Sequence, residues 1–316
     1  MDDWRPSAAP ATLRARARLL ADIRYFLADR GVLEADTPAL ASAGATDPHL
    51  HSLRAGGGYL VTSPEFALKR LLAAGSGPVY RLGNVFRAGE SGRWHNPEFC
   101  MLEWYRPGWD QDRLIAEIGD LFAGLGVPAP ATATYADVFR AAVGFDPHAA
   151  DAAALRRAAE ADSLAPDGAP DDAAGESARG FWLDLLMSAR VAPALGDGRP
   201  LVVTGFPACQ AGLTRGHPDR PAEALRFEVY WGGVELANGG EELTDAGELR
   251  RRTDADLAAR EAAGEPGPPP DPYLAAAMAH GLPACSGVAV GVDRLLALLM
   301  GFDRLADVLP FAADRV

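Results

Sequence analysis

The sequence predicts an α+β fold in which an antiparallel sheet is flanked by helices. Three stretches carry that expectation. Residues 79–106 (VYRLGNVFRAGESGRWHNPEFCMLEWYR) read as a strand, a polar glycine-containing turn and a returning strand. Residues 226–236 (RFEVYWGGVEL) read as a second hairpin, turning at Gly232-Gly233. Residues 286–301 (SGVAVGVDRLLALLMG) read as a Gly-interrupted apolar strand that runs into a helix. Tight hairpins join antiparallel neighbours, and the apolar segments between them have helical spacing.

The remaining elements follow in order. Residues 13–30 place Leu19, Leu20, Ile23, Phe26 and Leu27 on one helical stripe that stops at Gly31. Residues 32–38 (VLEADTP) are a short strand ended by proline. On the return of the first hairpin, period-two alternation puts Phe99, Met101, Glu103 and Tyr105 on one face and Cys100, Leu102 and Trp104 on the other. From about 145 to 200 the composition turns to Ala, Asp, Gly and Pro. Helical spacing survives at 151–162 and 181–195, so this stretch reads as a helical insertion in one catalytic domain spanning 1–316. The proline-rich run 264–272 is expected to be a stiff, exposed loop.

The length of 316 residues exceeds that of a usual single domain, though one large unit with an insertion is equally compatible. An apolar fraction of 48% and a mean hydropathy of -0.04 fit a well-packed soluble enzyme. The net charge of -13 and pI of 4.9 argue against broad nucleic-acid binding, whose affinity comes largely from neutralising phosphates. Cys100, Cys209 and Cys285 are few, scattered and odd in number, which predicts reduced structural thiols in a cytoplasmic protein. No secretory signal and no membrane-length apolar run is expected.

Some of the chemistry can be read from the residues alone. In the second hairpin the Gly-Gly turn sets Tyr230 opposite Glu235 and Val229 opposite Leu236. Glu228 then becomes a diagonal neighbour of Glu235, on the order of 7 Å away. Such a pair either bridges a hard cation or is simply two solvated glutamates. Arg87, among strand apolars, needs an anion. Phe99, Glu103 and Tyr105, on one open face, suit a base to stack and an ammonium to hold. His49 and His51 form a lone H-x-H and are assigned no metal.

Taken together, these segments resemble motifs 2 and 3 of the class II aminoacyl-tRNA synthetases, with helix, strand and proline at 13–38 resembling motif 1. Thr62-Ser63-Pro64-Glu65, the Lys69-Arg70 that follows, Arg226-Phe227-Glu228, Glu235-Leu236-Ala237-Asn238-Gly239 and Glu242-Leu243-Thr244-Asp245 narrow the resemblance to the lysyl-tRNA synthetases. Motif 1 begins almost at once, so no anticodon-binding barrel is expected before it. The chain is therefore similar to the family of truncated, lysyl-tRNA-synthetase-like ligases that attach (R)-β-lysine to a lysine of translation elongation factor P.

That resemblance implies a class II sheet of six to seven antiparallel strands, a homodimer built on motif 1, and no tRNA. ATP and Mg²⁺ are the implied cofactors, lysine or (R)-β-lysine the small substrate, and elongation factor P the acceptor. It assigns Arg87 and Arg294 to catalysis at the phosphates. Glu90, His95, Asn96, Phe99 and Glu235 join them around ATP, with Glu228 and Glu235 on the metal. Ser63, Glu65, Glu103, Tyr105, Asn238, Glu242 and Ala289 form the lysine pocket. Glu103, Tyr105 and Glu242 hold the ε-ammonium, and Glu65 the other amine. Three converging carboxylates repel one another, so the ligand's ammonium groups are expected to make the cluster tolerable. Two departures stand out. Arg87-Ala88-Gly89 replaces the usual Arg-Asn-Glu, leaving Glu90 to reach the adenine amine, and Gly240 replaces an aromatic wall. A truncated lysyl-tRNA synthetase acting on tRNA and a catalytically silent paralogue with a regulatory role are the alternatives.

Overall fold

The computed structural model describes residues 4–170 and 175–316. The first three residues of the N-terminal stretch and residues 171–174 of the Ala-rich stretch lie outside the described residues. The chain forms two compact units, Met1–Val127 with Glu242–Val316, and Pro128–Glu241.

The first unit opens with α1 (Pro10–Asp29). Its proline sits in the first turn, where a missing N–H costs no hydrogen bond. Leu19, Ile23 and Leu27 bury the stripe expected from the sequence, and Gly31 turns the chain with φ of +66°. There follow β1 (Leu33–Glu34), then a small sheet of β2 (Leu40–Ala41), β3 (Arg54–Ala55) and β4 (Gly58–Leu60) in the order β2-β4-β3. Next come α2 (Glu65–Ala73), β5 (Val79–Phe86), β6 (Glu98–Pro107) and α3 (Gln111–Gly124), which Asp110 caps through the Arg113 N–H. β5 and β6 form the first expected hairpin, with Val79 opposite Tyr105 and Phe86 opposite Glu98.

The second unit contains β7 (Ala131–Thr134), α4 (Tyr135–Val143), α5 (Ala152–Ala161), α6 (Glu176–Leu186), β8 (Leu201–Pro207), β9 (Glu223–Trp231) and β10 (Val234–Glu241). Its strands run β10-β9-β8-β7. The helices of the Ala-rich stretch are real and bury Tyr135, Phe139, Leu155, Trp182 and Leu186 together. The second of them differs from expectation. It ends at Leu186, widens to a π turn over Met187–Val191 and tightens to a 3₁₀ turn at Ala192–Ala194. Pro193, with no N–H to donate, cannot continue an α-helix there.

The chain then returns to the first unit as α7 (Ala246–Ala262), α8 (Pro272–Gly281), β11 (Cys285–Gly291) and α9 (Val292–Leu299). β11 lies antiparallel to β6, so the first unit's ladder runs β1-β5-β6-β11. Each ladder is antiparallel except at its outer end, where β1 pairs parallel with β5 and β7 with β8. These short outer strands bring the two ladders to eight strands among the described residues, against the six to seven expected. The 264–272 loop is mostly exposed as expected, but Pro268 is buried and packs where a side chain on Gly44 would stand. The three cysteines are free. No helix among the described residues is long and apolar enough to cross a membrane.

Candidate active site

The pocket of the first unit is built on the paired strands β6 and β11. Alternation turns Phe99, Met101, Glu103 and Tyr105 to one face. Opposite the last three, β11 supplies Gly291, Ala289 and Gly287. At Gly287 a Cβ would lie 2.3 Å from Tyr105 Cε1 and 2.6 Å from Glu242 Oε1, so only glycine lets the strand pass. Ser63, just before α2, donates its hydroxyl to Glu103 Oε2 at 2.6 Å and accepts the Glu65 N–H at 3.0 Å. Tyr105 donates to Glu103 Oε1 at 2.7 Å. The Glu242 N–H bonds the Cys285 carbonyl at 2.9 Å, which fixes that carboxylate beside the start of β11.

The three expected carboxylates do converge, but a resident cation lies among them. Lys69, one turn along α2, places Nζ 2.6 Å from Glu65 Oε1 and 2.6 Å from Glu242 Oε2. From the sequence, Lys69 carries no assigned role and the compensating charge is expected to come from a ligand. The signal was available as the i,i+4 spacing of Glu65 and Lys69 on one helix. Burial pushes Glu103 up to about 8, helped by the Glu65 charge and opposed by the Ser63 and Tyr105 hydroxyls. Burial likewise raises Glu242 to about 7, against the pull of Lys69. Burial alone would discharge Lys69, yet the Glu242 and Glu65 carboxylates hold its pKa above the ordinary lysine value. Both Glu103 oxygens are engaged. Among the described residues, nothing donates to Glu65 Oε2 or Glu242 Oε1.

A second group in the same unit gathers the residues expected around ATP. The Arg87 N–H bonds the Pro97 carbonyl just past β5, extending the ladder. Its guanidinium lies 5.1 Å over the Phe99 ring and 3.4 Å from Glu90 Oε1. Glu90 thus meets Arg87. Arg294, in the first turn of α9, donates to the Trp94 carbonyl at 3.1 Å and has Nη2 2.9 Å from His95 Nε2. Asn96 spends its amide on backbone, donating to the Glu98 carbonyl at 2.7 Å and accepting the Ala313 N–H at 3.0 Å. Asp293, which sequence reasoning passed over, is buried, pairs with Arg16 and accepts the Cys100 N–H at 2.7 Å. It anchors the turn that presents Arg294.

The second unit holds the hairpin carboxylates, with one correction. Tyr230 faces Glu235 as expected, but Val229 faces Ala237 because a β-bulge at Leu236 inserts one residue. The bulge sets Asn238 opposite Glu228, with Asn238 Nδ2 3.3 Å from Glu228 Oε1. Arg226, quoted in the motif but assigned no role from it, binds Glu228 and donates through Nε to Asn238 Oδ1 at 3.2 Å, while Tyr230 donates to the other Glu228 oxygen. Burial raises Glu228 to about 7; Arg226 opposes the shift and Glu235 adds to it. Each carboxylate oxygen has a second lone pair. Glu228 and Glu235, brought together by the hairpin, supply carboxylate oxygens of the kind a hard divalent cation takes, the rest coming from phosphate and water.

A family model describing class II tRNA synthetases (D, K and N) matches residues 1–315. A protein of Erwinia tasmaniensis is 48% identical over 99% of this chain and 98% of its own length. One from Edwardsiella ictaluri is 47% identical over 100% and 99%, and one from Pectobacterium carotovorum 45% over 99% and 98%. All three are named elongation factor P–(R)-β-lysine ligase.

Proposed function

The chain belongs to the class II tRNA synthetase family of the D, K and N type, and on that premise we propose that it is an ATP-dependent ligase for (R)-β-lysine and elongation factor P. The observation that carries the reading is the pocket of Glu65, Glu103 and Glu242, in which two carboxylates each keep an open oxygen. A lysine-type amino acid brings two ammonium groups to those acceptors.

The reaction has two steps. A carboxylate oxygen of the amino acid attacks the α-phosphorus of ATP, the bond to the β-phosphate oxygen breaks, and pyrophosphate leaves. The neutral ε-amine of the acceptor lysine then attacks the acyl carbonyl, AMP leaves, and the new amide nitrogen loses a proton. Arg87 and Arg294 offset charge at the phosphates, with His95 and Asn96 on the strand turn beside them. Phe99 stacks the adenine, and Glu90 reaches its amine. Glu103, Tyr105 and Glu242 take the ε-ammonium; Ser63 orients Glu103, and Glu65 takes the second amine. Asn238 places the carboxylate, and Ala289 shapes the pocket beside the second amine. Glu228 and Glu235 would hold Mg²⁺, which when bound neutralises phosphate charge. No side chain of the ligase itself becomes acylated; it contributes position and electrostatics. We read residues 1–316 as one catalytic module with a helical insertion, acting as a homodimer in the cytoplasm without tRNA.

The test is to incubate the protein with ATP, each lysine isomer, elongation factor P and tRNA, and to weigh the products. The expected result is elongation factor P carrying one lysyl-type amide, with AMP and pyrophosphate formed and tRNA unchanged. Charged tRNA would instead establish a truncated lysyl-tRNA synthetase, and no product at all a silent paralogue.

A further inference from the structure

The chain has 30 lysines and arginines together, and Lys69 is the only lysine. Every other basic position is an arginine. This single lysine is also among the most buried side chains, 1% exposed, and stands between two carboxylates. An ammonium is a compact point charge with three rotatable donors, whereas a guanidinium is a wide planar fork that binds one carboxylate side-on. Here the compact ammonium places one donor on Glu65 Oε1 and another on Glu242 Oε2, 2.6 Å from each.

From this geometry we infer that Lys69 is a positioning residue that sets the selectivity of the pocket for amino acids carrying two ammonium groups. By sharing itself between Glu65 and Glu242 it offsets their mutual repulsion and fixes both side chains. It uses one oxygen of each and turns the other, Glu65 Oε2 and Glu242 Oε1, into a receptor for a ligand ammonium. A diamino acid fills both receptors. A monoamino acid leaves one buried carboxylate half-used, which costs binding. Without Lys69, two facing buried carboxylates share a proton, and one receptor is lost. The other groups facing the pair are Glu103, the Tyr105 phenol and the Cys285 thiol, none of which carries positive charge.

The inference rests on the proposed lysine-type substrate, and its test separates the two. Amino-acid-dependent pyrophosphate exchange is measured for the parent and for Lys69→Met, which keeps the volume and removes the charge. The amino acids are (R)-β-lysine, lysine and 6-aminohexanoate. The expected result is a rise of about ten-fold or more in KM for the diamino acids, the scale of a lost charge-assisted contact, with KM for ATP within about two-fold. The preference for diamino acids over 6-aminohexanoate falls with it. A Lys69→Met protein with the parent's KM and preference shows that Lys69 only fills space and overturns the inference. Absence of exchange in the parent with every lysine isomer sinks the substrate reading and this inference with it. As a measure independent of the variant's folding, ¹⁵N-lysine labelling of the parent gives a single side-chain signal. It is expected to be a slowly exchanging ammonium that shifts as (R)-β-lysine is added. A fast-exchanging signal, or one indifferent to the amino acid, overturns the inference.

Discussion

Ala289 stands opposite Glu103 on β11, between two glycines on the face that lines the pocket. One methyl group here narrows the space beside Glu103, and moving an amine from the α to the β carbon changes the ligand by about one methylene. A pocket discriminates such a change by about 1–3 kcal/mol. Ala289→Gly is therefore expected to raise activation of lysine relative to (R)-β-lysine by about ten-fold or more. An unchanged ratio of catalytic efficiencies for the two isomers would reduce Ala289 to packing. The arginines give a complementary prediction. The Arg87 side chain donates to the Thr62 carbonyl and that of Arg294 to the Trp94 carbonyl, both outside the strand ladders, so truncating either is expected to leave the strands intact. Arg87→Ala and Arg294→Ala are each expected to abolish adenylate formation while circular dichroism stays that of the parent. Pyrophosphate exchange within a few-fold of the parent in either variant would remove that arginine from the phosphates.

At the level of elements, what could be read from the sequence is what has a period. The β5–β6 hairpin, the strand-to-helix run of β11 and α9, and the stripe of α1 all declare themselves by apolar spacing. The bulge at Leu236 does not, because alternation continues on both sides of the extra residue and nothing local marks the insertion. Yet that residue decides that Asn238, not Ala237, meets Glu228. Lys69 and Arg226 were hidden for a different reason. Each has one partner close in sequence, Glu65 for Lys69 and Glu228 for Arg226, but the second, Glu242 or the Gln210 carbonyl, comes from a distant segment that a linear reading does not supply. The β9–β10 hairpin carries its own test. Glu228→Gln or Glu235→Gln removes the charge of one oxygen ligand without removing the site. Each is expected to weaken ATP use and to shift the Mg²⁺ requirement upward, with partial recovery at high Mg²⁺. Superimposable Mg²⁺ titrations for both variants and the parent would dismiss the hairpin as the metal site.

For the whole molecule, the buried carboxylates make stability depend on pH in a direction opposite to that of ordinary acid denaturation. Burial, aided by the Glu65 charge, raises Glu103 from 4.5 to about 8, and burial raises Glu242 and Glu228 to about 7. Between about 4.5 and 8 the folded protein therefore holds protons that the unfolded chain has already released. Stability follows protons bound by the unfolded state minus those bound by the folded state, so these groups make it fall as pH rises through that window. Each contributes a slope of at most about 1.4 kcal/mol per pH unit. Self-repulsion of a chain with net charge -13 acts in the same direction, since moving from pH 7 toward the pI of 4.9 discharges it. A difference measurement separates the two effects. Glu103→Gln mimics the protonated carboxyl at every pH and changes the net charge by one at most. Denaturant unfolding from pH 5 to 8.5 is expected to show the parent losing stability relative to Glu103→Gln as pH rises, with the gap ceasing to grow above about 8. Adding lysine or (R)-β-lysine should narrow the gap for the parent alone, because a ligand ammonium favours the ionised carboxylate. It should also release protons at pH 7, which calorimetry in buffers of different ionisation enthalpy detects. Parallel stability curves for the two proteins across the window would mean that Glu103 titrates as an ordinary glutamate, and the pocket would then have no stored protonation for a diammonium ligand to displace.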